Sequence, residues 1–141
     1  MTKLNLSLLN YYPITIRQYC SSDFPSIQLL NTQEGWHSHP SRKGDVKLAW
    51  EHSNIAYVAT YHDELIGYIR GFTDHYISLF ISELIISKEY RGLGLGKELL
   101  DYVHCLYPKT RIEMLATSSS KTFYEQLGYR SFYGFRKNFN E

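Results

Sequence analysis

The sequence predicts a single α/β domain built on one mixed central sheet, and three observations carry that prediction. Runs rich in β-branched and aromatic residues recur at Ile14 to Tyr19, Ile55 to Tyr61, Leu65 to Thr73 and Ser78 to Ser87, each of strand length and bounded by turn residues. The polar segment His62-Asp63-Glu64 joins two of those runs at the spacing of an antiparallel hairpin. A glycine-rich turn at 91–96 leads straight into a stretch whose apolar residues recur at helical spacing. Strands interleaved with amphipathic helices pack most simply as one sheet covered by helices.

Taken in order, the alternating strand at Ile14 to Tyr19 is followed by Ser21-Ser22-Asp23 and Pro25, a helix start that runs through Ile27, Leu29 and Leu30. From Thr32 to Gly44 the chain is rich in Gly, Pro, Ser and His around Trp36, which reads as a functional loop. A short helix follows through Val46, Leu48, Ala49 and Trp50. Next come the hairpin of 55–61 and 65–73 and a third strand over 78–87, entered through Asp74-His75-Tyr76. Leu95, Leu99, Val103 and Leu106 then define an amphipathic helix that Pro108 forbids from continuing. Arg111 to Ala116 reads as a strand, Ser119 to Leu127 as a helix closed by Gly128, and Tyr129 to Phe132 with Phe135 to Phe139 as a closing hairpin around Gly134. The expected order is β-α-α-β-β-β-α-β-α-β-β, and residues 1–141 show no repeat, low-complexity tract or second-domain boundary.

Composition narrows the function. At 141 residues the chain buries roughly two-thirds of its unfolded surface and needs no metal or disulfide staple. Its two cysteines, Cys20 and Cys105, lie far apart without zinc-ligand spacing, so no metal site is expected and a reduced, cytoplasmic setting is the default. A formal charge of +1 without a basic run argues against nucleic acid or a membrane surface as partner. The first ten residues alternate apolar with polar, unlike a signal peptide, and no stretch approaches the ~20 apolar residues of a membrane span. The thirteen tyrosines suit half-buried strands, ring packed and hydroxyl wet.

The chemistry concentrates at Arg91-Gly92-Leu93-Gly94-Leu95-Gly96, between the strand ending Ile85-Ile86 and the helix. Glycine lets backbone N–H groups approach an anion, and the first helical turn offers unpaired amides at the positive end of the helix dipole. No Ser, Thr, Asp or Asn at 92–96 competes as a cap, and Arg91 adds positive charge. The spacing is GxGxG. A dinucleotide-binding fold requires GxGxxG early in a βαβ unit, and a Walker loop requires Gly-Lys-Ser/Thr; neither fits.

The combination resembles the GNAT superfamily of N-acetyltransferases. Arg91 to Gly96 matches that family's Arg/Gln-x-x-Gly-x-Gly/Ala signature, Phe123-Tyr124-Glu125-Gln126-Leu127-Gly128-Tyr129 is similar to its second motif, and the element order covers the family fold over nearly the whole chain. The resemblance implies acetyl-CoA as co-substrate. Its pyrophosphate would lie on the amides of Arg91, Gly92, Leu93, Gly94, Leu95, Gly96 and Lys97, and its pantetheine would pair like an extra strand with the backbone of Leu84, Ile85 and Ile86. Thr117 stands where the family often has Asn, and Ser120 where it has Ala, which affects one pantetheine contact.

Acyl transfer needs a neutral amine, a donor for the developing oxyanion, and a proton for the departing thiolate. Tyr124 matches the family's general acid in position, and a reference pKa of ~10 lies within about two units of a thiol's. The oxyanion donor implied by the family is a backbone N–H near Ile85. Glu83 interrupts the apolar run Leu79 to Ile86. Strict alternation would put it on one face with Ile81 and Ile85, and it has three readings: base for the acceptor, site for the acceptor's ammonium, or ion-pair partner of Arg70. His37, His39 and His52 are in or near the loop that the resemblance makes the acceptor wall, His75 lies in the turn before the Glu83 strand, His104 is expected to face solvent, and Trp36, Trp50 and Tyr76 are candidates for an aromatic pocket. The acceptor is an amine, on a small molecule or a protein, and the enzyme a monomer or homodimer. A longer acyl-CoA donor, or a non-catalytic acyl-CoA-binding role, are the alternative readings.

Overall fold

Six consecutive residues of the strand Ile55–Tyr61 are buried, so both of its faces are covered, and a sheet with such a strand at its heart requires helices on either side. The computed structural model describes residues 4–8, 12–36 and 40–141. In chain order the elements are β1 (Leu4–Leu8), β2 (Tyr12–Gln18), α1 (Phe24–Gln33), α2 (Lys43–Glu51), β3 (Ile55–Tyr61), β4 (Glu64–Thr73), β5 (Ser78–Ile86), α3 (Leu95–Leu106), β6 (Arg111–Met114) and α4 (Lys121–Gln126). Among the described residues the sheet has six strands in sequential order. All neighbours are antiparallel except β5 and β6, which run parallel.

Two apolar clusters sandwich the sheet. On one face Leu95, Leu99, Leu100 and Val103 of α3, each at most 1% exposed, pack on Ile14, Ile16, Ile55, Ile69, Leu79 and Ile81, with Tyr124 and Leu127 of α4 at the margin. Each fully buried aliphatic side chain contributes about 1.5–3 kcal/mol, which seats α3 firmly. On the other face Phe24, Ile27 and Leu30 of α1 and Trp50 of α2 pack on Ala56, Val58, Tyr68 and Ile85.

Local chemistry sets the turns. His62 and Asp63 both take left-handed backbone (φ 49° and 63°), as a two-residue hairpin between β3 and β4 demands. Before α1, Asp23 accepts Cys20 N–H (2.9 Å) and two bonds from Arg17 (2.7 and 2.8 Å). Burial pushes the Asp23 carboxyl up, but these donors outweigh it and hold it below its ordinary value.

The two ends of the chain depart from the expected order. Leu4–Leu8 forms an additional first strand, its register with β2 running from Leu4↔Ile16 to Leu8↔Tyr12. The closing hairpin is absent: residues 129–138 form neither strand nor helix, and Phe132, Tyr133, Phe135 and Phe139 are 78%, 96%, 92% and 86% exposed. The physical reason is periodicity. Apolar residues at 129, 132, 133, 135 and 139 do not alternate, so no register would turn them all to one face.

Candidate active site

The glycine turn does in space what its composition predicts. Gly94 is the N-cap of α3 with φ 86° and supplies no capping side chain. Gly92 also has positive φ (79°), and around both glycines the space a Cβ would occupy is empty to 4 Å. The first backbone bond of α3 is Glu98 N–H to Gly94 C=O (3.0 Å), so the amides of Leu95, Gly96 and Lys97 precede any acceptor within the helix. Gly96 plays a different part, since a Cβ there would come within 3.0 Å of the Phe123 ring. That close approach brings α4, and with it Tyr124, against the start of α3. The two motifs, separated in the chain by α3 and β6, are thereby neighbours.

Arg91 is already engaged. Its Nε donates to the Ile86 carbonyl (2.9 Å) and its Nη2 pairs with Glu34 at the end of α1. Its charge serves the turn as a brace between α1 and β5 as well as a positive centre beside the amides. Lys97 pairs with Asp101 one turn on, which raises the Lys97 ammonium above its ordinary value.

Beside the turn, β5 has an open edge. Its pairing with β6 stops at Ile81↔Met114, whereas its pairing with β4 continues to Ile86. Ser87 N–H donates to Ile66 C=O (2.7 Å). The two-residue period of an antiparallel ladder then directs the polar backbone groups of Glu83 and Ile85 to β4, and those of Leu84 and Ile86 to the side β6 has left. Ile86 C=O is taken by Arg91, so Leu84 N–H and C=O and Ile86 N–H face the gap. The expectation that Ile85 shares this role is thus corrected: its backbone is spent on β4.

A bulge produces this arrangement. Arg70 pairs with Glu83 but Gly71 with Ile81, leaving Ser82 as an extra residue in β5. Strict alternation consequently fails. Ile81 packs in the α3 cluster while Ile85 packs in the α1/α2 cluster, and Glu83 shares the latter face with Tyr68. The Glu83 carboxylate is held there on both oxygens: Arg70 donates to Oε1 from Nε (3.0 Å) and Nη2 (2.6 Å), and Tyr68 donates to Oε2 (2.9 Å). Of the three readings of Glu83, the pairing with Arg70 is the one the side-chain geometry realises. Burial and the adjacent Glu83 raise the Tyr68 phenol far above its ordinary value.

Tyr124 packs beside Phe123 and Tyr129, ring centroids 5.1 and 5.7 Å away, and burial raises its phenol above the ordinary value. Thr117 and Ser120 precede α4, where their hydroxyls bond to each other (3.2 Å) and Ser120 Oγ accepts Thr117 N–H (3.0 Å).

The aromatic and histidine candidates separate. Trp50 is 1% exposed in the core, 4.8 Å from Tyr19 and 4.9 Å from Tyr68, so it lines no pocket. Trp36 and Tyr76 are exposed. His52 Nδ1 bonds to Leu48 C=O (2.8 Å), and His75 takes a turn at φ 76° against Tyr107. His104 does not face solvent freely: Nε2 bonds to Thr110 C=O (2.7 Å), tying α3 to the approach of β6. His37 and His39 lie outside the described residues. Among the described residues no three His, Cys, Asp or Glu side chains are grouped to hold a metal, and no helix is long and apolar enough to cross a membrane.

Known proteins share both sequence and shape with this chain. Residues 52–131 match the family described as acetyltransferase (GNAT) domain. An N-acetyltransferase of Prochlorococcus marinus, ycf52-like and itself uncharacterized, is 30% identical over 131 residues, covering 88% of this chain and 72% of that one. A GNAT-family acetyltransferase from Streptococcus pneumoniae TIGR4 superposes with TM-score 0.75 at 22% identity, covering 91% and 99% of the two chains. Naa50 of Arabidopsis thaliana, solved with the bisubstrate analogue CoA-Ac-MVNAL, superposes with TM-score 0.62 at 20% identity over 82% of each chain. Family match and sequence relatives agree, the fold is shared, and this chain belongs to the GNAT family of N-acetyltransferases, an acyltransferase by descent.

Proposed function

We propose that the chain works as one domain that moves an acetyl group from acetyl-CoA directly to an amine. The observation that carries this reading is the open edge of β5, which leads into the turn with uncapped α3 amides, with α4 and its Tyr124 packed against the same helix start. The residues fit the donor: Gly92 and Gly94 leave empty space over the turn, and the amides of Leu95, Gly96 and Lys97 suit a pyrophosphate. Leu84 C=O and Ile86 N–H offer pantetheine the acceptor and donor of a strand edge, which leaves Leu84 N–H for the thioester carbonyl. Thr117 and Ser120, engaged with each other, contribute at most a peripheral contact.

In the reaction the amine nitrogen attacks the thioester carbonyl carbon, the C–N bond forms and the C–S bond breaks. Leu84 N–H, facing the gap, is the donor for the oxyanion, and Tyr124 gives its phenolic proton to the departing sulfur. A raised pKa keeps that proton on Tyr124 until it is needed. The acceptor's ammonium loses its first proton to water, and the proton released as the amide forms returns through solvent to the Tyr124 phenolate. Glu83 is not the acceptor of either, because both carboxylate oxygens are already bonded.

The test is thermal denaturation with acetyl-CoA, CoA, NAD and ATP, followed by thiol release from acetyl-CoA across a panel of small amines and peptide N-termini. A ligand that binds only the folded state raises Tm. Stabilisation by the two CoA compounds alone, with turnover of at least one amine, is expected. Stabilisation by NAD or ATP instead, or turnover only with longer acyl-CoA donors, would overturn the assignment of acetyl-CoA.

A further inference from the structure

Resting on that reading of Leu84, we infer that Arg70 is a positioning residue: with Glu83, Ser82 and Tyr68 it forms a clamp that fixes the β5 bulge and so aims the Leu84 N–H at the thioester carbonyl. Arg70 stands where the β4–β5 register shifts. From that position its guanidinium holds both residues of the bulge, donating from Nη2 to Ser82 Oγ (3.2 Å) and from Nε and Nη2 to Glu83 Oε1 (3.0 and 2.6 Å). Its remaining arm, Nη1, donates to Ser53 Oγ (3.1 Å), and Ser53 in turn donates to Ala49 C=O in α2 (2.6 Å). The other Glu83 oxygen reaches α1 through Tyr68, whose hydroxyl is 2.6 Å from Asn31 Oδ1. A phenol has one proton and here meets two acceptor positions; an Asn31 amide turned to donate to the phenol oxygen satisfies all three groups.

The bulge is thus tied through one ion pair to both helices on that face. Ser82 is exposed, but Arg70 is 11% and Glu83 24% exposed and Tyr68 is fully buried, so the bonds among these three are partly shielded from water. Backbone packing supports the same geometry. At Gly71, opposite the shift, a Cβ would fall 2.1 Å from Phe80 C=O, which shows how closely the bulged strand is drawn in. One extra residue in β5 is what exchanges the outward backbone groups from the odd positions, 79 and 81, to the even ones, 84 and 86. Without Ser82 held out of register, Leu84 N–H would turn to β4 and the gap would have no donor at that height. On this account Glu83 acts through the bulge and takes no proton.

Amide NMR reads the consequence without an acceptor substrate. In the native protein CoA should move the Gly94 and Gly96 amides, and acetyl-CoA should in addition move the Leu84 amide downfield. Acetyl-CoA should bind about 2- to 10-fold more tightly than CoA, the worth of one carbonyl hydrogen bond. In Arg70→Met, Glu83→Gln and the double variant the glycine shifts should persist, while the Leu84 shift and the preference for acetyl-CoA disappear. The double variant leaves no charge unpaired, so it retains the fold if Arg70→Met alone does not. The two changes together should do no more than either alone. A Leu84 shift that survives in a folded double variant overturns the clamp, as does a native Leu84 amide that ignores the acetyl group while the glycines respond. Silent glycine amides in the native protein would overturn the CoA reading beneath it, and the clamp with it.

Discussion

The glycine turn and the Arg70 network are built from different material. The donor side is backbone: amides at the start of α3, a strand edge at Leu84 and Ile86, and glycines whose contribution is the absence of a side chain. The Arg70 network on the other face is side chain: Arg70, Glu83, Tyr68, Ser53 and Asn31, drawn from β4, β5, α1 and the segment after α2. A backbone site depends on local conformation and tolerates most substitutions that keep it. A side-chain network depends on partners far apart in sequence, and one loss leaves the others unsatisfied.

The sharpest test of this division is Tyr124→Phe, which removes one hydroxyl from the proton path and nothing from the donor cradle. Thiol release should fall about 10²- to 10⁴-fold, the usual worth of a general acid, with CoA affinity by calorimetry unchanged. A comparable loss of CoA affinity would blur the comparison, since it would give a side chain a share of the backbone site. Gly96→Val comes next. The added methyls meet the Phe123 ring, an overpacking that costs about 1–3 kcal/mol in thermal or urea unfolding. Because Phe123 carries Tyr124 with it, turnover should drop more than CoA binding does.

The third expectation concerns pH. Burial raises the Tyr124 phenol, so the group stays protonated through neutrality and the alkaline fall of kcat should lie above pH ~10, the ordinary tyrosine value. The limb should vanish in Tyr124→Phe; a native limb at lower pH would assign the acid elsewhere. Thr117→Ala should be the mildest change, since among the described residues its hydroxyl bonds to Ser119 and Ser120. Kinetic constants within about 3-fold of native are expected, near the effect of one exposed hydrogen bond.

This division also explains what could be read from the residues alone. Arg91 to Gly96 and the helix after it were legible because a local turn is encoded locally, and β3, β4 and the start of α1 for the same reason. Glu83 could be singled out as a charge in an apolar run, yet its bonds to Tyr68 were not foreseeable, because alternation assigns faces only while a strand stays regular. The Ser82 bulge breaks the count, and nothing in Ile81-Ser82-Glu83 announces it. At the N-terminus the signal was available: Leu4, Leu6 and Leu8 alternate as a strand should. At the other end, aromatic residues of high strand propensity suggested a hairpin, but propensity without a consistent face did not produce one.

One contact links the glycine turn to α1. Arg91 joins Glu34, at the end of α1, to the Ile86 carbonyl, at the end of β5. A ligand that draws Arg91 toward its phosphates must loosen Glu34, and one that leaves it in place binds a turn already anchored to α1. Any second ligand that rests on α1 would share this support with the phosphates, and the two affinities would then be thermodynamically linked. By reciprocity, whatever factor acetyl-CoA imposes on the binding of an amine, that amine imposes on acetyl-CoA, so titrating acetyl-CoA with and without a test amine reads the coupling from the donor side.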